Sequence, residues 1–246
     1  MYQHGFVGVF AFVLVLLLPN YAMADKATEL ASLDASKSGV LESKLRRLSF
    51  DVKRNGKSIG QHVVNIRDDG EQIVVDSEID VKINIAFVTV FRYNQKGHEV
   101  WKDGQLLSLS TLSNDNGNEI KLTAERSSDG LMVHGTRFDG KMAELALPTS
   151  YWNEATIACT KMFNTQNGKV MDVNVSKDGA DVVQANGRSV EATKYVIGGD
   201  LNKQIWYDRA GTWVKSIFNV RGQTIEYVLV DDEMEIAAHD NRIVTR

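Results

Sequence analysis

The sequence holds one cysteine, Cys159, and two prolines, Pro19 and Pro148. A single thiol excludes an internal disulfide and any zinc centre built on several thiolates. Cationic charge is also scarce: 28 Lys and Arg stand against 32 Asp and Glu, a formal net charge of −4, which leaves no surplus to neutralise a phosphate backbone. Nucleic acid is therefore not an expected partner. His62, His98, His134 and His239 are scattered with no HxH or HExxH spacing, and there is no EF-hand loop, so no metal and no cofactor is expected. Long apolar runs are absent after the first twenty residues, so no stable transmembrane helix is expected in the body of the chain.

What is present starts with Phe6–Leu18, apolar throughout apart from Gly8, the length of a signal-peptide core and too short to span a bilayer. Pro19-Asn20 breaks it, and Ala22-Met23-Ala24 supplies the small-x-small pattern of signal peptidase. The expected cleavage lies between Ala24 and Asp25, with export to the periplasm. The stretch before the apolar run lacks Lys and Arg, a departure from the usual signal pattern. Residues 25–46, with Leu30, Leu33, Val40, Leu41 and Leu45 at loosely helical spacing, predict a lead-in helix or flexible arm.

From residue 47 to 230 the pattern is that of one β domain. The 43% hydrophobic content is enough for a sizeable core. Short alternating runs are separated by Asn-Gly and Asp-Gly pairs, such as Asn55-Gly56, Asp103-Gly104, Asn116-Gly117 and Asn186-Gly187, with Lys96-Gly97 and Asp178-Gly179 read the same way. Asn-Gly and Asp-Gly accept the positive φ of two-residue hairpin loops, so consecutive antiparallel strands follow. Between Ile73 and Tyr93 the apolar residues keep one parity, predicting one long strand or a strand bent once. At about 3.3 Å per residue a flat strand of that length would outrun the domain, so the sheet is expected to curl into a half-barrel or barrel. Ala86, Val88 and Val90 make the second face apolar as well. One short interior helix is predicted after Asn153, over Ala155–Phe163. Residues 231–246 read as a tail or short helix.

Chemistry-bearing residues carry plain readings. Cys159 lies too far into the expected helix for its dipole to favour a thiolate, and it reads as a buried free thiol. Ser150 lacks the Gly-x-Ser-x-Gly elbow. Asp76, Glu78 and Asp80 alternate along a strand as a solvated face would. No catalytic residue is assigned.

The string Leu147-Pro148-Thr149-Ser150-Tyr151-Trp152-Asn153, with Asn164-Thr165-Gln166-Asn167-Gly168 behind it, resembles an exported bacterial family, domain of unknown function 6134. Asp51–Gly60, Phe91-Arg92-Tyr93 with Glu99-Val100-Trp101, and Leu201–Tyr227 agree in order. The resemblance implies no activity and no catalytic residues. The closing strands are also similar to those of half-barrel lipoprotein carriers, which implies a shared architecture only.

The expected function is a periplasmic, non-enzymatic binding or carrier protein for a lipid or other apolar or amphipathic envelope molecule. Its concave site would draw on Ile83, Ile85, Phe87, Phe91, Tyr93, Trp101, Tyr151, Trp152, Trp206 and Trp213. The rivals are a periplasmic hydrolase or transferase working through His134 or Cys159 near Tyr151, and an assembly protein that docks other envelope proteins through a sheet edge.

Overall fold

In the computed structural model, which describes residues 42–142 and 146–238, Asn55-Gly56, Asp103-Gly104, Asn116-Gly117 and Asn186-Gly187 sit where two strands reverse. The strands are β1 (Glu42–Arg54), β2 (Lys57–Asp68), β3 (Ile73–Ile85), β4 (Val88–Lys102), β5 (Gln105–Asp115), β6 (Asn118–Ser127), β7 (Gly130–His134) and β8 (Asp139–Met142). They are followed by β9 (Ala146–Pro148), β10 (Lys161–Phe163), β11 (Val170–Ala185), β12 (Arg188–Gly199), β13 (Lys203–Asp208), β14 (Trp213–Val220) and β15 (Gln223–Ala238). Asn55-Gly56, Asp103-Gly104, Asn116-Gly117 and Asn186-Gly187 each take positive φ at both positions, the backbone of a type I′ hairpin turn. The signal segment, its cleavage point, residues 25–41, His239 and the end of the chain lie outside the described residues.

The fifteen strands form one sheet in the order β8-β7-β6-β5-β4-β3-β2-β1-β15-β14-β13-β12-β11-β10-β9. Two meanders thus meet where β1 pairs antiparallel with β15, from Glu42↔Ala238 to Arg54↔Ile225. The outermost strands, β8 and β9, adjoin each other in sequence, and the sheet curls into a nearly closed barrel. Only β9 and β10 run parallel among the described pairs. Curvature comes from register shifts at Ser49/Phe50, Val52/Lys53, Val100/Trp101, Lys177/Gly179 and Trp206/Tyr207, since a bulge bends its strand and increases the local twist. At the seam, the backbone N–H of Arg137 donates to the Asn167 carbonyl at 2.9 Å, tying the β7–β8 turn to the loop after β10.

The inward parity supplies the core. Leu48, Phe50 and Val52 of β1 are essentially inaccessible, as are Leu122, Val133, Ile197, Ile205 and Tyr207. On a second surface the distal half of the β11–β12 hairpin lies against β14 and β15. Val183, Ala185 and Ala192 are buried there, and the Asn186 N–H reaches the Leu229 carbonyl at 2.6 Å.

Several expectations are corrected. The continuous strand over 73–93 is a hairpin: β3 ends at Ile85, the chain reverses at Ala86-Phe87 with Ala86 at φ 53°, and β4 begins at Val88. No glycine marked that turn. The short interior helix is a single 3₁₀ turn, Glu154–Ala158. Asn153 caps it as expected, its side chain accepting from the Ala155 N–H, but Cys159 is already extended and residues 161–163 are drawn into the sheet as β10. Lys96-Gly97 is no turn: Gly97 faces Ser77 inside the β3–β4 ladder, where a Cβ would lie 2.6 Å from the Ser77 Oγ. Asp178-Gly179 is a bulge within β11. Residues 42–46 belong to β1 and residues 231–238 to β15, so the sheet extends beyond both expected domain limits.

Candidate functional site

The segment from Pro148 to Gly168 supplies β10 to the wall, and its parts around Tyr151 and Thr165 reach inward as a plug held by side chains of opposite walls. Towards β4 and β5, the Thr165 carbonyl accepts from Gln95 Nε2 at 3.2 Å and from Thr111 Oγ1 at 2.6 Å. Trp152 Nε1 donates to Glu99 Oε2 at 3.0 Å, and Trp101 Nε1 donates to the same oxygen at 2.7 Å. The two indoles meet edge-on with centroids 5.7 Å apart. Towards β13, the Tyr207 hydroxyl donates to the Tyr151 carbonyl at 2.9 Å. Tyr151 holds φ at 61°, unusual for a bulky residue and sustained by these contacts.

Beside the plug lies an aromatic interior. Phe50 and Trp213 are 4.1 Å apart, and Tyr151, His62 and Tyr227 each lie within 6 Å of the Trp213 ring. Lys203 enters this cluster from β13. Its Nζ is 3.6 Å from the Tyr151 ring centroid and 4.8 Å from that of Phe218, and it makes no ion pair among the described residues. Burial pushes the Lys203 ammonium down to about 7. Burial, reinforced by the Lys203 charge, pushes His62 down to about 3, so its imidazole is neutral and its Nδ1 has no partner. Glu99 is raised by burial, and the indole N–H groups oppose that rise by stabilising its carboxylate. Burial likewise pushes the Tyr93 phenol up to about 12, with its hydroxyl donating to Gln95 Oε1 at 2.9 Å.

The space left inside is small. A cavity of about 40 Å³ lies among His62, Gln95, Glu99, Thr111, Ser150 and Thr165, a polar niche of a size for ordered water. Part of the concave face is thus taken up by the protein's own plug. A larger groove of about 450 Å³ opens on the surface between Ser58, Ile59, Gln61, Asp80, Lys82 and Val230.

The ten residues expected to line one site fall into three places. Tyr93, Trp101, Tyr151, Trp152 and Trp213 belong to the plugged interior. Trp206, on the alternate face of β13 from Tyr207, is buried with its Nε1 donating to Asp181 and with Lys194 and Lys215 each 5.5 Å from its ring. Ile83, Ile85, Phe87 and Phe91 form the end of the β3–β4 hairpin. That ribbon outruns its neighbours: β2 last pairs with β3 at Gly60↔Val81, and β5 last pairs with β4 at Asp115↔Tyr93. Phe87 is 103% exposed, Ile85 66% and Val88 65%. Few soluble surfaces gather large apolar side chains in this way without a use for them.

His134, named for a hydrolase, has the close carboxylate that such a reading calls for: its Nδ1 lies 2.6 Å from Asp139 across β7–β8, and His98 Nδ1 likewise lies 2.7 Å from Asp76 across β3–β4, both in the open. Cys159 Sγ donates to the Thr156 carbonyl at 3.0 Å, and burial pushes its thiol up, away from the nucleophilic thiolate. Glu78 pairs with Lys96 across the strands and Asp80 with Lys82 two residues on in β3, so the carboxylate row is a solvated strand face except at Asp80 Oδ1, which is buried without a hydrogen-bond partner. Sequence reading missed Lys203, Glu99, Gln95 and Thr165. Glu99 shares the inward parity of Gln95 and Trp101, and Lys203 that of Ile205 and Tyr207, the one signal that could have found them.

This architecture defines a class: a barrel-like, all-β protein with parts of one connecting segment packed inward against its walls. The chain belongs to the family described as a domain of unknown function, DUF6134, whose model matches residues 50–230. Among solved structures it is similar to the β-barrel-like protein of domain of unknown function DUF1849 from Brucella abortus, with 10% identity and a TM-score of 0.54, over 80% of this chain and 98% of that one. That likeness shows a common fold. A DUF1329 family protein from Desulfovibrio piger aligns over 89% of this chain and 94% of its own at 7% identity, and its TM-score of 0.17 carries no argument. No curated protein matches the sequence. Among the described residues no helix is long and apolar enough to cross a membrane.

Proposed function

We propose that the protein is a non-enzymatic binding protein of the bacterial envelope, exported by its first 24 residues, that engages an apolar or amphipathic molecule from outside the barrel. The observation that carries this reading is the β3–β4 hairpin, which presents Ile85, Phe87, Val88 and Val90 to solvent on a rigid scaffold. Burying even one such side chain is worth about 1.5–3 kcal/mol, so the tip supplies a driving force for binding. The aromatic residues of the interior then serve to hold the plug and stiffen the base from which the ribbon projects.

The test is a titration of delipidated protein with fatty acids and phospholipids, followed through saturation. Saturable binding that is lost in Phe87→Asp, with an unchanged melting temperature, is the expected result. Absence of saturable uptake of any of them would overturn the reading.

A further inference from the structure

We infer that the β3–β4 hairpin docks the protein onto the surface of an anionic lipid bilayer. This rests on the reading of the hairpin as the binding element and adds the nature of its partner.

The ribbon is graded along its length. At its end stand Ala86-Phe87, then the cross-strand pair Ile85↔Val88, then Asn84↔Thr89, then Ile83↔Phe91, and at its neck Lys82↔Arg92. Four residues from Lys82 to the turn span roughly 13 Å at about 3.3 Å each. Side chains that enter a membrane interface settle about 5–10 Å into the boundary between headgroups and acyl chains. A tip at that depth leaves the Lys82–Arg92 collar at the level of the lipid phosphates, with the barrel in water.

Charge supports the same orientation. Antiparallel pairing puts the β1–β2, β3–β4, β5–β6 and β14–β15 turns at one end of the sheet. The β1–β2 and β14–β15 turns are joined there by Asn55, whose side chain accepts from the Thr224 N–H at 2.9 Å and donates to Gln223 at 2.6 Å. Those joined turns carry Arg54, Lys57 and Arg221, which form no ion pair among the described residues, nor does Arg92. Facing them are Asp80, paired with Lys82 at 3.8 Å, and Asp115 and Glu119 at the β5–β6 turn. At the opposite end the turns and the residues beside them carry Asp68, Asp69, Glu71, Asp103, Asp129 and Asp208 against Lys102 and Arg209. A chain with a net charge of −4 thus sets Arg54, Lys57, Arg92 and Arg221, without ion pairs among the described residues, on the side from which the apolar ribbon projects. An apolar wedge ringed by basic residues matches an anionic headgroup layer, which attracts each nearby Lys or Arg. A neutral apolar partner would give the collar nothing to do.

The experiment is cosedimentation of the purified protein with vesicles of phosphatidylglycerol mixed with phosphatidylcholine, against vesicles of phosphatidylcholine alone. Binding is expected to the mixed vesicles and to weaken as salt is raised to about 0.5 M, where screening shortens the reach of the charges. Phe87→Asp is expected to weaken it about tenfold or more, and Lys82→Glu with Arg92→Glu on the order of a hundredfold. Both sites are exposed, so circular dichroism should show all variants folded. Equal, salt-insensitive binding to both vesicle types would overturn the anionic surface while leaving the apolar tip in place. Uptake of soluble fatty acid without vesicle binding would overturn the bilayer and keep the broader reading. Full vesicle binding by Phe87→Asp would remove the hairpin from both proposals.

Discussion

Lys203 shows how much one side chain can govern in this barrel. Its ammonium is surrounded by aromatic faces with no carboxylate in reach, and cation–π attraction only partly replaces the water it has lost. Because burial lowers it from 10.5 to about 7, the unfolded chain holds this proton more tightly than the folded one across that interval. Stability is therefore expected to rise as pH increases from about 7 towards 10.5, by an amount on the order of a few kcal/mol. Lys203→Met should flatten that rise and be more stable than the parent at neutral pH, as read from urea midpoints across the interval. His62 acts in the same sense at lower pH: its neutral form is held down to about 3, so stability contributed by its burial is lost as pH falls below 6.5. If the parent shows no alkaline gain and Lys203→Met melts at a lower temperature at every pH, the residue is held there by packing alone.

At the level of elements, the turn at Gly135 illustrates what sequence could and could not reveal. A Cβ at Gly135 would lie 2.5 Å from Leu122 Cδ1 and 2.6 Å from the Asn167 carbonyl, so the seam loop sits where a side chain would have been. Gly135→Ala is expected to push that loop outward and cost about 1–3 kcal/mol, measured by chemical denaturation. Nothing in the local sequence announces such a contact, because it joins segments more than thirty residues apart. Hairpins were legible wherever a turn needed positive φ at two positions and Asn-Gly or Asp-Gly supplied it. The Ala86-Phe87 turn was not, because alternation runs through it with no glycine to interrupt the pattern. The same failure hid the apolar end of the ribbon: parity says which residues share a face, and Val75 and Val81 are indeed buried, but it cannot say where neighbouring strands stop covering that face. The expected helix failed for a related reason. Its cap was real, yet three of its residues gained more by pairing with β11 than by continuing a turn.

For the whole molecule, the plug joins the meander that contains β4 and β5 to the one that contains β13. The interior should accordingly unfold as one unit. Phe50 sits on β1 where it pairs with both β2 and β15, and it stacks on Trp213. Phe50→Ala is expected to cost about 3–5 kcal/mol, with tryptophan fluorescence and far-ultraviolet dichroism moving through one coincident transition. Two separated transitions would show that the halves are stable apart and that the plug does not couple them. The sequence made the antiparallel order and the family visible, whereas the curl was reached from a single long strand over 73–93 that is a hairpin. The inward packing of the plug depended on Glu99, Gln95 and Thr111 accepting a distant loop, a matter of tertiary hydrogen bonds that no local pattern encodes.

The β1–β15 ladder also bears on how such a chain is made. Until the segment up to Ala238 has left the ribosome, β1 lacks one of its two partners and the seven strands at its other side have nothing to close against. Contacts of that sequence separation form slowly, since the entropy of bringing the ends together is spent before they are rewarded. A polypeptide that stays open so late in synthesis exposes unpaired strand edges to any chaperone or second nascent copy nearby.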